Sequence, residues 1–196
     1  MLRKLRLIIV MVILAVVAIV TIGSDARAQM PLAERMAALE RQFYALKNAQ
    51  KRGVAVMAEQ EIWRLWFIGV NVDGTERLAA ASLMMREGRY GEAVVLLDEL
   101  VADYPGFAEA WNQRAFAKFL MNNLTASLED IEQTLTLEPR HFGALAGRAR
   151  IEARLGSMDD ASRTMGEVGV IHPWMARLSP IPADPPPPAP PEGEEL

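Results

Sequence analysis

The sequence predicts an all-α protein, an α-solenoid of antiparallel helix pairs, and three observations support this fold class. Three prolines recur at one fixed interval, at Pro105, Pro139 and Pro173. Small, apolar and helix-ending residues recur with the same period. Ahead of these repeats, the apolar residues between Leu32 and Leu46 are spaced by four and three residues, which is one face of a helix. A fixed period of about 34 residues is typical of repeat architectures.

Composition narrows the classes of function. The chain has 196 residues, two histidines, no cysteine and a formal net charge of −4. The lack of cysteine excludes a disulfide framework and a thiolate metal site. The mild negative charge argues against a nucleic-acid partner. There is no glycine-rich phosphate loop, nucleophile-elbow serine or zinc-binding histidine pair on a helix, so we expect no enzyme, no catalytic residue, no metal and no cofactor.

Residues 1–28 have the pattern of an export signal. Residues 3–6 carry three basic side chains, residues 7–22 are almost entirely apolar, and a small-x-small triplet ends at Ala28. This order predicts a secretory signal peptide cut after Ala28, and therefore a periplasmic or exported protein. The alternative is an uncleaved inner-membrane anchor, although the sixteen residues from 7 to 22 span only ~24 Å of a ~30 Å hydrocarbon core.

Residues 29–73 predict a divergent helix pair ahead of the repeats. Pro31 is placed to start the first helix, and Gly53 is expected to end it after a basic run. The second helix is predicted over residues 56–69. It contains a dense aromatic cluster at residues 63–67, which we interpret as core, with a partner or membrane surface as the alternative. The pair is expected to cap the solenoid, whose end would otherwise expose apolar surface.

The segment 74–175 repeats with the spacing of the three prolines. Small residues at two columns let two helices approach closely, and large apolar residues fill the seam between them. Glycine or asparagine ends the first helix with left-handed backbone, and proline ends the second. The small residues are Ala81, Ala115 and Ala149 in one column and Ala93, Ser127 and Ala161 in the other. The large apolar residues are Leu97, Ile131 and Met165. The first helix ends at Gly88, Asn122 and Gly156, and the second ends near Pro105, Pro139 and Pro173. Each repeat is therefore predicted to be two antiparallel helices.

These residues resemble the tetratricopeptide repeat, which has the same period. The resemblance assigns three units, at residues 74–107, 108–141 and 142–175. Gly166 and Gly169 fall in the second helix of the third unit. We expect this helix to be the loosest, because each glycine costs ~1 kcal/mol relative to alanine. The family resemblance implies a scaffold that binds protein partners.

The resemblance also implies where a ligand binds, because the first helix of each repeat lines the concave groove in this family. By repeat position, the predicted peptide-binding residues are Met85, Arg86, Asn112, Phe116, Phe119, Arg150 and Arg154. Phenylalanines hold apolar side chains, and arginines bind carboxylates through paired hydrogen bonds. The groove therefore suits an acidic or C-terminal peptide segment. The alternative is that Phe119 belongs partly to the core and that the arginines are simply solvated.

Residues 176–196 are predicted to be a proline-rich, acidic, disordered tail. Eight prolines lie between Pro180 and Pro191, and three glutamates follow them. This composition is typical of polyproline II and offers no apolar face to bury. We interpret the tail as a solvated spacer, with a ligand for an aromatic groove as the alternative.

Two classes of function follow from these patterns. The first is an exported scaffold that binds a peptide or helix of another envelope protein, without nucleic acid, and touches the membrane only if the N-terminus is uncleaved. The second is a structural protein that forms homo-oligomers. In that hypothesis the third repeat lacks a polar capping helix, because the chain continues directly into Trp174, Met175 and Leu178. Its exposed end would then pair with a second copy.

Overall fold

The computed structural model describes residues 30–68 and 71–178, and every regular element within these ranges is an α-helix. The helices are α1 (Leu32–Lys47), α2 (Arg52–Phe67), α3 (Val72–Arg86), α4 (Tyr90–Asp103), α5 (Ala108–Leu120), α6 (Leu124–Leu137), α7 (Phe142–Arg154), α8 (Met158–Ile171) and α9 (Pro173–Leu178). Within the same ranges, no helix is both long and apolar enough to cross a membrane. The predicted signal at residues 1–28 and residues 179–196 of the predicted tail lie outside the described residues. Residues 176–178, predicted to belong to the tail, are part of α9 instead, because this helix packs on α8.

Helices α3 to α8 form three antiparallel pairs that stack in chain order. The turn within each pair has the same backbone geometry, because its central residue has a positive φ of 76° at Gly88, 61° at Asn122 and 83° at Gly156. The following amide N–H bonds back to the helix at 2.9 Å in all three turns, as in a Schellman motif. The prediction of left-handed helix ends at these three positions is confirmed.

The small-residue columns lie at the contacts between the paired helices. The five alanines of these columns are buried, as is Ser127. Ser127 stands where the other repeats have alanine, and its hydroxyl donates to the Ala115 carbonyl at 2.7 Å. The polar substitution is therefore satisfied by the neighbouring helix, since a buried hydroxyl without a partner would be costly.

The N-terminal pair differs in its bounds from the sequence prediction. Helix α1 starts after Pro31 as expected, but it ends at Lys47 rather than at Gly53. Gly53 is the second residue of α2, and its φ is not positive. Residues 48–51 make the turn instead. The prediction of a helix end at Gly53 was wrong, because a glycine in a first helical turn needs no left-handed backbone.

The N-terminal pair lies across the loop edge of the repeats and packs against the third repeat. Helix α1 contacts α8, and α2 contacts α5. Buried residues of both helices share one apolar core with α7 and α8, namely Phe43, Leu46, Ala55, Ala58, Ile62, Trp66, Phe142, Leu145 and Val168. The pair therefore packs mainly on α5 and on the third repeat, and its role as a cap of the solenoid stays a prediction.

The end of the third repeat is also covered. Helix α9 packs on α8, and Trp174 joins the shared core. The Trp174 indole N–H donates to the Ala49 carbonyl, between α1 and α2, at 3.1 Å. The expectation of an uncapped end after the third repeat was therefore wrong. The expectation failed because the end is covered through a contact between residues 125 positions apart, and no local sequence pattern indicates such a contact.

Candidate binding groove

The seven predicted groove residues lie on α3, α5 and α7, the first helices of the three repeats. Two adjoining cavities occupy this face. Cavity A, of about 240 Å³, lies between α5 and α7, and its lining includes Asn112, Phe116, Phe119 and Arg150. Cavity B, of about 650 Å³, lies between α3 and α5, and its lining includes Met85 and Arg86. Gln113 and Phe116 line both cavities, so the two form one continuous groove.

Cavity A exists because α7 begins with small residues. Gly143, Ala144, Ala146 and Gly147 all line it. At one end of this series, the Trp63 ring of α2 fills the space beside Gly143 so closely that a Cβ built there would overlap the indole. Sequence reasoning missed Trp63 as a lining residue, because it lies outside the repeats and nothing near it in sequence indicates where it docks.

The groove arginines differ from many other arginines of the molecule in their lack of a carboxylate partner. Among the described residues, Arg86, Arg150 and Arg154 have no ion-pair partner. The Arg154 guanidinium lies 5.7 Å from the centre of the Phe119 ring. The arginines that pair with carboxylates elsewhere are Arg64, Arg77, Arg89, Arg114, Arg140, Arg148 and Arg163. No aspartate or glutamate lines cavity A or cavity B, so the groove presents uncompensated positive charge.

The groove amides have acceptor ends that are free for a ligand. The Asn112 amide donates to the Glu109 carboxylate at 3.2 Å, and the Gln113 amide donates to it at 2.6 Å. Because an amide has separate donor and acceptor ends, these bonds leave the two carbonyl oxygens for other partners. A peptide in the groove could therefore receive hydrogen bonds from arginine and donate its own N–H groups to Asn112 and Gln113.

Glu109 also connects the groove to the buried N-terminal pair. The side chain of His141 is fully buried; its Nδ1 accepts from the Ala144 N–H at 3.1 Å, and its Nε2–H donates to Glu109 at 2.9 Å. The Trp66 ring stacks on the imidazole with centroids 4.0 Å apart. His141 therefore caps the N-terminus of α7 and packs against an aromatic ring of α2. A ring closed off in this way has no face left for a substrate.

Part of the repeat region matches a known family. Residues 75–118 match the family described as Tetratricopeptide repeat. The match covers most of the first predicted repeat and the first helix of the second. Repeats of that family form scaffolds for protein–protein interaction.

Two known proteins are similar to this chain. A TPR repeat-containing protein of Rhizobium etli is 36% identical over 119 residues. That match covers 61% of this chain and 58% of the relative, so the chain spans little more than half of the relative's length. Among solved structures, a chain titled MamA RS-1 ArsTM double mutant aligns at 15% identity and a TM-score of 0.47, covering 83% of this chain and 90% of that chain.

Proposed function

We propose that this chain is an exported scaffold whose concave groove binds an acidic, partly apolar segment of another cell-envelope protein. The observation that carries the proposal is the pairing state of the arginines. Arg86 and Arg150 line the two cavities, Arg154 lies over the Phe119 ring of cavity A without lining either cavity, and none of the three has a carboxylate partner among the described residues. An arginine fork binds a carboxylate through two parallel hydrogen bonds, so an acidic segment supplies what this groove lacks.

The apolar part of the groove supports a ligand that carries at least one apolar side chain. Phe116 stands between the two cavities and is 45% exposed. Exposed aromatic residues next to arginine are the groups that most often contribute binding energy in protein interfaces. The groove therefore favours a segment with an acidic residue next to an apolar one over a purely acidic segment.

The location in this proposal is supported by the sequence pattern of residues 1–28. Its test is the N-terminal sequence of the protein purified from its natural host. A chain that begins at Gln29 in the soluble envelope fraction supports cleavage after Ala28. An intact N-terminus in the membrane fraction supports the anchored alternative, and recovery of the intact chain in the cytosol contradicts export.

The groove is tested with an array of synthetic peptides that differ in one charge. Each set places glutamate, glutamine or lysine beside one leucine, and the labelled full chain is the probe. We expect the glutamate members to bind best and to weaken as salt rises, since the contacts are partly exposed. Preferential binding of the lysine members would contradict the proposal.

Charge reversal within the groove completes the test. The double substitution Arg150→Glu and Arg154→Glu is expected to weaken binding of the glutamate peptides at least ~10-fold, equivalent to ~1.4 kcal/mol. The matched control reverses two exposed arginines outside both cavities, Arg89→Glu and Arg163→Glu, and should leave binding unchanged. Equal losses in the two variants would show that overall charge, and not the groove, recognises the peptides.

A further inference from the structure

We propose that residues 192–196 of this same chain occupy the concave groove and compete there with the partner segment. The proposal rests on the proposed function, because it uses the same groove and the same ligand chemistry. Residues 192–196 read Glu-Gly-Glu-Glu-Leu. They lie outside the described residues, and they bring three carboxylates and one leucine side chain to a groove with three unpaired arginines.

The charges complement each other in number and in spacing. Arg150 and Arg154 are one helical turn apart on α7, a separation of about 6 Å along the helix. Glu192 and Glu194 are two residues apart, so in an extended segment their carboxylates lie on the same face at a spacing of ~6.6 Å and can reach two neighbouring guanidinium groups. Each arginine then donates paired hydrogen bonds to a carboxylate, a partner that it lacks among the described residues.

The apolar part of the segment fits cavity A. The cavity measures about 240 Å³ and is lined by Ala115, Phe119, Ile131 and Ile151 among other residues. One leucine side chain fills a space of this kind, and its burial is worth about 2 kcal/mol. Trp63 closes the cavity beside Gly143, so there is room for one apolar side chain rather than for a continuing apolar stretch.

The chain is long enough to make this contact. Thirteen residues separate Leu178 from Glu192. At ~3.1 Å per residue, a proline-rich chain of this length spans ~40 Å. Because α7 and α8 are antiparallel neighbours, the end of α8 lies beside the start of α7. Helix α7 has 13 residues and is therefore ~20 Å long, so every groove arginine of α7 is within reach.

Such a contact would regulate the groove. A tethered segment has an effective concentration in the millimolar range, so even weak binding keeps the groove largely occupied. A partner then binds with an affinity reduced by the fraction of molecules whose groove is open. A partner segment displaces the chain's own residues when its concentration relative to its Kd exceeds that of the tethered segment, which sets a threshold for partner selection.

The test uses a fluorescent peptide with the sequence of residues 187–196 as the probe and the full chain as the receptor. The key variant is Glu192→Gln, Glu194→Gln and Glu195→Gln, which removes the internal competitor. We expect it to bind the probe ~10-fold more tightly than the unmodified chain does. The matched control, Glu129→Gln, Glu132→Gln and Glu167→Gln, removes three exposed carboxylates of the repeats and should bind the probe like the unmodified chain.

Two further measurements locate the contact. Adding Arg150→Glu and Arg154→Glu to the key variant should abolish probe binding, and a probe with serine in place of Leu196 should bind ~10-fold more weakly. Equal probe affinity in the unmodified chain and the key variant would overturn the proposal. If the key variant fails to bind the probe but binds the acidic array peptides, the proposal fails and the proposed function stands.

The remaining outcomes are equally decisive. If neither the probe nor any acidic array peptide binds, both the occupancy and the proposed function are overturned. If sedimentation shows a dimer of the unmodified chain that the key variant loses, the segment occupies the groove of a second copy, and occupancy within one molecule is overturned. A monomer at all concentrations, combined with tighter probe binding by the key variant, supports the proposal.

Discussion

Two surfaces of this molecule bring arginine and phenylalanine together, and they are completed differently. Where the N-terminal pair meets the third repeat, the Arg140 guanidinium lies 4.1 Å from the centre of the Phe43 ring and binds the Glu40 carboxylate at 2.7 Å. In the groove, Arg154 lies over Phe119 with no carboxylate partner among the described residues. The first surface has its anion, whereas the second lacks one.

Burial shows the same contrast. The Phe43 side chain is 7% exposed, whereas in the groove Phe119 is half-buried against a core cluster and its neighbour Phe116 is 45% exposed. Residues of the chain itself cover the first surface, so that surface contributes to folding. The groove contributes little to folding and keeps its charges for another segment. Substitutions should therefore separate the two, with losses of stability at one surface and losses of binding at the other.

The largest loss of stability is expected for Glu109→Ala, on the buried side of the comparison. Glu109 is 2% exposed and accepts hydrogen bonds from His141, Asn112 and Gln113. Its removal leaves the buried His141 donor without a partner, at a cost of about 3 kcal/mol in the free energy of unfolding measured with urea. The exposed Glu132→Ala is the control and should change it by less than ~0.5 kcal/mol.

A smaller loss is expected for Gly143→Ala, at the point where the two surfaces meet. The new Cβ would overlap the Trp63 ring, and displacing that ring should cost about 2 kcal/mol. Gly166→Ala is the control, since its Cβ meets open space, and it should stabilise the protein by ~1 kcal/mol. Hydrogen exchange should quicken in α2 for Gly143→Ala only. Unchanged exchange there would mean that Trp63 does not hold α2 in place.

A still smaller effect on the free energy of unfolding is expected when two arginines, one from each surface, are replaced by alanine. Arg140→Ala removes an ion pair and a contact with Phe43, and should lower the free energy of unfolding by about 1 kcal/mol. Arg150→Ala removes a side chain without an ion-pair partner among the described residues, and should change it by less than ~0.5 kcal/mol. Equal losses of unfolding free energy in the two variants would contradict the distinction between a surface that the chain covers itself and an open groove.

The smallest effect is expected in the pH dependence of the Glu40 contact. The hydrogen bond from Arg140 and its charge hold the pKa of Glu40 below its usual value. A lowered pKa means that the contact stabilises the folded state above pH ~4.3 and that this contribution is lost as pH falls through the lowered value. Glu40→Gln should therefore lower the urea midpoint more at pH 7 than at pH 3. A difference of equal size at both pH values would contradict an ionic contact.

Features that depend on repeat position could be predicted from the sequence. The left-handed residues Gly88, Asn122 and Gly156 follow from a fixed period, because a helix end there permits few residue types. The groove positions follow in the same way, since one helix per repeat faces the concave side. Whether these residues bind a peptide stays a prediction, because position alone does not identify a ligand.

The docking of the N-terminal pair could not be predicted. Arg140 binds Glu40, 100 positions earlier, and Trp66 stacks on His141. Neither contact leaves a periodic pattern along the chain, so the density of aromatic residues near Trp63 indicated burial but not the surface that buries it. The same long-range packing supplies the cover over the third repeat that the sequence did not show.

The hydrogen bond from Trp174 to Ala49 has a consequence for the order of folding. The two residues are 125 positions apart, and at ~5–20 residues per second about ten seconds of synthesis separate them. The repeats make mostly neighbouring contacts and can form as they emerge, because local contacts close quickly. The apolar face of α1 and α2 has to wait for α8 and α9. Its docking is therefore the last folding step, and the interval before it is the period in which the nascent chain most needs a chaperone.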